Sequence, residues 1–202
     1  MIDLIIFDLD GVLINTEHTH YDSLCDAIHS VTSMDYSNIR DLVKIDGSTT
    51  KNKLQKLRQL YGFNESVTDE INRIKQARVI EEFAFIQKNE IQINMLSELF
   101  RNYKLAVGSN SRRLSVDTII DRLEIRQFFS SVISVDDVGI EKPDPAIFNC
   151  IMKNLNVHPS RTLILEDSLN GIEAARRSGA HVSITSFQKT TLEFIKDELS
   201  KI

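Results

Sequence analysis

The stretch MIDLIIFDLDGVLI, residues 1–14, decides the fold. Ile2–Phe7 predict a short buried strand, because their apolar run is too short for a helix and ends at acids and a glycine. Asp8 and Asp10 are two residues apart, so a continued extended chain points both carboxylates the same way. Two buried, unpaired acids would be costly. The pair therefore indicates either a ligand site at the end of the strand or an Asp-Gly turn at Gly11 with solvated acids.

Four further apolar runs have the length and composition of buried strands. They are Lys104–Ser109, Val132–Val135, Thr162–Glu166 and His181–Ile184. Helix-period segments lie between them: one carries Val116 and Ile119 behind a Ser115 cap, one runs from Ile147 to Leu155, and one ends before Gly179. Alternating strands and helices predict an α/β fold with a Rossmann-like parallel sheet.

The stretch between the first strand and the others breaks this alternation. Thr49 and its neighbours cap an expected helix that stops at Gly62, and Thr68 caps a longer expected helix. Because this stretch shows no buried strand, we expect an inserted all-helical cap at 15–89. The catalytic core would then comprise residues 1–14 and 90–202.

Composition narrows the function classes. The 202 residues carry a formal charge of −5, with 42% hydrophobic and 26% charged residues, which is typical of a soluble globular protein. The chain lacks the basic face of a nucleic-acid binder and has no polybasic membrane patch or signal peptide. We therefore expect a cytoplasmic protein with no nucleic-acid or membrane partner. Its two cysteines, Cys25 and Cys150, suit core packing better than a disulfide scaffold.

Polar groups also follow three of the later strands. Ser109-Asn110-Ser111 ends one strand, the segment Lys142–Pro145 follows another, and Glu166-Asp167 ends a third. Each has an ordinary structural explanation when taken alone: a helix N-cap, a surface lysine before a helix-starting proline, and a second N-cap.

Taken together, these groups have a shared chemistry. The carboxyl ends of parallel strands converge on one crevice, so acids, a hydroxyl and a lysine would meet there. Carboxylates suit Mg²⁺, which prefers oxygen ligands, whereas a lysine and a hydroxyl suit phosphate oxygens. A site that holds both beside a free carboxylate is suited to phosphoryl transfer.

The motifs DLDGV, VGSNS, EKPDP and LILEDSLNGIEAA stand in the order and spacing of the haloacid dehalogenase-like phosphohydrolases. The sequence resembles the β-phosphoglucomutase-like branch of that superfamily over nearly its whole length. The resemblance implies a Mg²⁺-dependent phosphatase that acts through an aspartyl-phosphate. Its substrate would be a small phosphorylated, sugar-like metabolite, and no organic cofactor would be needed.

The resemblance also implies a role for each matching position. Asp8 would be the nucleophile, and Asp10 the general acid and then the general base. Ser109 would bind a phosphoryl oxygen with Asn110 beside it, and Lys142 would pair with both the nucleophile and the transferring group.

Metal and cap positions follow from the same resemblance. The metal would be held by Asp8, the backbone carbonyl of Asp10, Asp167 and, through water, Glu166. Gly47 and Ser48 resemble the substrate-specificity loop of the cap, and His20 is expected either at the site mouth or in cap packing. Lys75 and Arg78 would either supply positive charge from the cap or form a charged, solvated helix face. Arg112 and Arg113 would steer anions or be solvated.

The same residues are compatible with other activities. Asp10 argues against dehalogenase chemistry, because dehalogenases of the superfamily lack the second aspartate. A phosphosugar mutase would use the same core but return the phosphoryl group to a sugar. A non-enzymatic phosphate-sensing module is a third hypothesis. Modules of that kind, however, lack a cap and do not place the phosphate-accepting aspartate at the end of the first strand. A monomer is expected.

Overall fold

A computed structural model describes residues 1–43 and 49–202 of the chain. These residues divide into two compact units. The first comprises Met1–Asn15 and Ile86–Ile202, and the second comprises Thr16–Phe85. Within the described residues, no helix combines the length and apolar character that crossing a membrane requires.

The first unit is built on a parallel sheet. Its strands are β1 Leu4–Phe7, β2 Lys104–Ser109, β3 Ser131–Ser134, β4 Thr162–Glu166 and β5 His181–Ile184. The helices of the chain, in order, are α1 Glu17–Thr32, α2 Tyr36–Val43, α3 Thr50–Tyr61, α4 Glu65–Phe83, α5 Glu90–Phe100, α6 Arg113–Arg122, α7 Val135–Val138, α8 Ala146–Leu155, α9 Leu169–Arg177 and α10 Leu192–Ser200. Helices α1 to α4 belong to the second unit and α5 to α10 to the first.

The spatial strand order is β3-β2-β1-β4-β5, and every neighbouring pair is parallel. Strand β1 is central, with Leu4 opposite Lys104 of β2 on one side and Thr162 of β4 on the other. The predicted fold class, an α/β protein with a Rossmann-like parallel sheet, is confirmed.

Both faces of the sheet are covered. Leu4 and Ile6 point to one face, where they join a buried cluster with Phe148 of α8 and Ala175 of α9. The alternate residues of β1 are also fully buried, as a sheet covered on both faces requires. Burial of apolar surface stabilises a fold by about 25 cal/mol per Å². The buried side chains of β1 therefore hold the central strand, and the acids that follow it, in one position.

Helix starts in the first unit differ from prediction at one point. Helix α6 begins at Arg113, and Ser115, the predicted cap, lies buried inside it. The free N–H of Arg113 donates instead to the carboxylate of Asp136 at 2.9 Å, so an acid of the short helix α7 caps α6. Gly179 follows the last turn of α9 with φ +79°, as predicted for a C-terminal glycine.

Every regular element in the described part of the second unit is a helix. Thr49 caps α3 by accepting the N–H of Asn52, and Gly62 ends that helix with φ +69°, as predicted. The predicted cap Thr68 was wrong: α4 begins earlier because the side chain of Asn64 accepts the N–H of Val67. The core of this unit contains, among others, Leu24, Cys25, Ile28, Leu57 and Ile71.

Candidate active site

The strand order determines which polar groups meet. Because β2 and β4 flank β1, Asp8 lies between Ser109 at the end of β2 and Glu166 at the end of β4. These three residues and Lys142 are buried, with relative exposures of 7%, 1%, 0% and 3%. Four polar side chains buried at one sheet edge each need hydrogen-bond partners, since unpaired burial would be costly.

Lys142 connects Asp8, which follows β1, to Glu166 at the end of β4. Its Nζ donates to Oδ1 of Asp8 at 2.6 Å, to Oε1 of Glu166 at 2.5 Å and to the carbonyl oxygen of Gly108 at 2.8 Å. All three protons of the ammonium are therefore used. Burial alone would lower the pKa of Lys142, but the carboxylates of Asp8 and Glu166 outweigh burial and raise it above its usual value, so the group stays charged.

The backbone of Lys142 is held by Asn110. The side-chain Oδ1 of Asn110 accepts the N–H of Lys142 at 2.8 Å, and its Nδ2 donates to the Lys142 carbonyl at 3.4 Å. The ring of Phe148 lies under the ammonium, 4.7 Å from Nζ to the ring centre. The amide that was expected to bind substrate is thus engaged with the main chain of the lysine.

Glu166 is an anchor for the loop that follows β4. Its Oε2 accepts the backbone N–H groups of Asp167 and Ser168 at 3.1 and 3.4 Å and the Ser168 hydroxyl at 3.2 Å. Helix α9 packs directly on this carboxylate, because a Cβ added to Gly171 would lie 2.0 Å from its carboxyl carbon. The carboxylate of Glu166 thus stabilises both Lys142 and the start of α9.

Asp8, Glu166 and Asp167 each bring a carboxylate oxygen within 4.8 Å of the others. Burial, followed by the charge of Glu166, raises the pKa of Asp8 well above its usual value despite the nearby lysine. Asp167 lies more exposed at the rim, where partial burial and then the charge of Glu166 raise its pKa to about 6.

The donor set fits a divalent cation. Three carboxylates face one ammonium, which leaves two negative charges uncompensated when all are ionised. Hard divalent cations such as Mg²⁺ prefer carboxylate oxygens. The chain also approaches closely here: Gly11 has φ +87°, and a Cβ at this position would lie 1.9 Å from Oδ2 of Asp167. Only glycine fits this position.

Asp10 lies on the other side, against the turn that follows β2. Its Oδ2 accepts the hydroxyl of Ser111 at 2.7 Å and the hydroxyl of Ser109 at 3.4 Å. The Ser109 oxygen in turn accepts the N–H of Ser111 at 2.9 Å. The two aspartates of the first motif therefore have different partners: an ammonium for Asp8 and hydroxyls for Asp10.

The described residues that were expected in the cap make their contacts within the second unit. Nδ1 of His20 lies 3.0 Å from Nζ of Lys75, and its ring packs edge-on against Phe83. Lys75 is only 4% exposed, so the expectation of a solvated helix face was wrong for this residue: packing between α1 and α4 buries it. Arg78 pairs with Asp26 at 2.5 Å. Gly47 and Ser48 lie outside the described residues.

The two arginines after the Ser109 turn pair with acids of the short helix α7. Arg112 pairs with Asp136 at 3.0 Å. Arg113 pairs with Asp137 and donates to the carbonyl of Val132. These contacts connect the start of α6 to α7, while the side chain of Arg112 stays 62% exposed.

Sequence reasoning missed two residues of this site. Ser111 was read as part of a helix cap, and Gly171 was not singled out. A signal existed for each: a second hydroxyl two residues after Ser109, and a glycine in the first turn of a helix, where it lowers helix propensity.

Comparisons with known proteins agree with the fold and the motifs. A family model described as haloacid dehalogenase-like hydrolase matches residues 5–185. A phosphorylated carbohydrates phosphatase of Thermotoga maritima is 25% identical over 179 residues, or 88% of this chain and 82% of that protein.

Two solved structures are also similar. CbbY of Rhodobacter sphaeroides, in complex with phosphate, is 26% identical with a TM-score of 0.75, covering 92% of this chain and 87% of that one. A β-phosphoglucomutase of Clostridium difficile has a TM-score of 0.78 at 23% identity, covering 100% and 98% of the two chains, and supports the fold alone. The family match confirms both the resemblance and the expectation of a hydrolase.

Proposed function

Because this chain belongs to the haloacid dehalogenase-like hydrolases, we propose that it is a phosphoric monoester hydrolase acting through an aspartyl-phosphate on Asp8. One observation carries the proposal. A buried ammonium, Lys142, contacts the carboxylates of Asp8 and Glu166 at the carboxyl edge of the sheet. A carboxylate that attacks a phosphate dianion meets charge repulsion, and a fixed positive charge offsets it.

In the first step, a carboxylate oxygen of Asp8 forms a bond to phosphorus while the bond from phosphorus to the ester oxygen breaks. The departing oxygen takes a proton from Asp10, so an alcohol leaves and Asp8 carries the phosphoryl group. Lys142 balances the charge, and the hydroxyl of Ser109 donates to a phosphoryl oxygen.

In the second step, water attacks phosphorus. Its proton passes to the carboxylate of Asp10, and the bond between phosphorus and the Asp8 oxygen breaks. Inorganic phosphate is released, Asp8 is again a carboxylate and Asp10 is again an acid, so the cycle closes.

We propose that Asp8 and Asp167, with the backbone carbonyl of Asp10, hold a Mg²⁺ ion. When bound, this ion supplies positive charge to the phosphoryl oxygens and orients the ester. Glu166 already accepts four hydrogen bonds, so its role in the proposal is to hold Lys142 and to reach the ion only through water.

The substrate class rests on the relatives. A similar protein is named as a phosphatase of phosphorylated carbohydrates, so a small sugar or sugar-alcohol phosphate is proposed here. Residues 15–89 are proposed to act as the cap that selects it, with Gly47, Ser48 and His20 as contacts. A monomer in the cytoplasm is the proposed working form.

The test is phosphate release from a panel of phosphorylated metabolites with Mg²⁺, together with an aryl phosphate, for the natural protein and for Asp8→Asn. We expect the natural protein to release phosphate and the variant, folded by circular dichroism, to release none. Asp35→Asn, on an exposed loop residue, is the control and stays active. Full activity in Asp8→Asn would refute the proposal, and isomerisation of a hexose 1-phosphate without phosphate release would favour the mutase alternative.

A further inference from the structure

The turn after β2 presents two hydroxyls to one oxygen of Asp10. Ser111 is 2.7 Å from Oδ2 and Ser109 is 3.4 Å from the same atom. The first distance is that of a strong hydroxyl–carboxylate hydrogen bond, whereas the second is at the outer limit for such a bond. Of these two hydroxyls, that of Ser111 therefore contributes more to fixing the rotation of the Asp10 carboxyl group.

The hydroxyls of Ser109 and Ser111 have different roles in a phosphoryl-transfer site. Ser109 has a single hydroxyl proton, and its oxygen is already held by the N–H of Ser111 at 2.9 Å. Once that proton is given to a phosphoryl oxygen, it no longer reaches Asp10. Releasing a 3.4 Å contact costs little, and the 2.7 Å contact from Ser111 remains.

We propose that Ser111 is a positioning residue that holds Asp10 in the orientation for proton transfer to and from the ester oxygen, an inference that rests on the proposed function. The hydrogen bond that Ser111 donates to Oδ2 disfavours a proton on that oxygen. Ser111 thus holds the carboxyl group of Asp10 in one rotation and disfavours proton transfer through Oδ2. The serine acts through Asp10 and does not itself touch the reacting atoms.

This role has a signature that a general structural role lacks. An alkyl ester leaves as an alkoxide, which needs a proton, whereas p-nitrophenolate is stable without one. A fault in the orientation of Asp10 therefore slows transfer from an alkyl phosphate and spares transfer from p-nitrophenyl phosphate. A fault in substrate binding or folding slows both.

The experiment compares Ser111→Ala and Ser111→Thr with the natural protein, using enzyme in excess so that a single transfer is measured. The probes are glycerol phosphate, or the best alkyl ester from the panel, and p-nitrophenyl phosphate. We expect Ser111→Ala to slow release of the alkyl alcohol about ten- to hundredfold, within the range of general acid catalysis. Nitrophenolate release should change by less than about twofold, and Ser111→Thr, which keeps the hydroxyl, should restore the alkyl rate.

The matched control is Ser160→Ala, an exposed serine just before β4 at the other edge of the sheet. It should leave both rates unchanged. Equal slowing of both esters by Ser111→Ala, or no slowing of the alkyl ester, would overturn the inference while leaving the phosphatase itself established. A natural protein that cleaves neither ester would overturn the proposed function and the inference together.

Discussion

Nζ of Lys142 lies 2.6 Å from Oδ1 of Asp8, although the two residues are 134 positions apart in the chain. The contact depends on two neighbouring strands, since the same ammonium also donates to the carbonyl of Gly108 in β2. A buried charge pair of this kind stabilises a site only while both partners remain.

Replacing Lys142 with methionine should destabilise the protein. The substitution keeps an unbranched side chain, one atom shorter, but leaves Asp8 and Glu166 as buried carboxylates without a counter-charge, at a cost of about 3–5 kcal/mol. Urea unfolding at pH 7 without metal measures it. Lys153→Met, an exposed lysine on α8, is the control with little expected effect, and equal midpoints for the two variants would contradict the prediction.

The affinity for Mg²⁺ should fall as the pH drops below about 6. Partial burial and the charge of Glu166 raise the pKa of Asp167 to about 6, and a protonated carboxyl is a poor ligand. Calorimetric titration with magnesium chloride between pH 5 and 8 measures this dependence. Asp167→Asn should bind weakly at every pH, and a natural protein with the same affinity at pH 5 and pH 7.5 would argue against Asp167 as a ligand.

In the metal-free protein, the same shift should act on stability with the opposite sense. Between the ordinary pKa of 3.8 and about 6, folded Asp167 binds a proton that the unfolded chain has released. Its contribution to stability is therefore lost as the pH rises through that window. The difference in unfolding free energy between natural protein and Asp167→Asn, measured at pH 4 and pH 7, should show this slope, and a constant difference would contradict it.

Strand ends and residue types were enough to predict the sheet and the groups gathered at its edge. Leu4–Phe7 are apolar on both faces, which is typical of a strand with neighbours on both sides. Asp8 directly follows this strand and therefore lies among the ends of the neighbouring strands. The hydrogen-bond partners were not predictable in the same way. The side chain of Asn110 binds the backbone of Lys142, a residue 32 positions away in the chain. This contact depends on the geometry of two loops, which no local sequence pattern encodes. The predicted caps of α4 and α6 were wrong because other residues accept the free N–H groups at these helix starts. Asn64 does so for α4 and Asp136 for α6.

Asn110→Ala should lower kcat while leaving KM nearly unchanged. The side chain bonds the backbone of Lys142 on both sides, so its loss lets the ammonium move away from Asp8. A substrate-binding amide, the role first expected for it, would instead raise KM with kcat unchanged. Steady-state kinetics with p-nitrophenyl phosphate separate the two. Asn154→Ala, on the exposed face of α8, is the control, and a KM effect alone would restore the substrate-binding role.

Gly171→Ala should destabilise the protein, although the same change in an ordinary helix interior stabilises by about 1 kcal/mol. The new Cβ would meet the carboxyl group of Glu166 at 2.0 Å. That carboxyl cannot turn aside cheaply, because Lys142 and the loop after β4 hold both of its oxygens. We expect the free energy of unfolding to fall by about 1–3 kcal/mol, as for other overpacked sites. We also expect kcat to fall, because a displaced Glu166 carboxylate would shift Lys142 as well.

Thermal and urea unfolding measure the first effect, and turnover of p-nitrophenyl phosphate measures the second. Glu173→Ala, at an exposed position of the same helix, reports the effect of propensity alone. If Gly171→Ala were as stable and as active as that control, Glu166 would not be the rigid anchor that its contacts indicate.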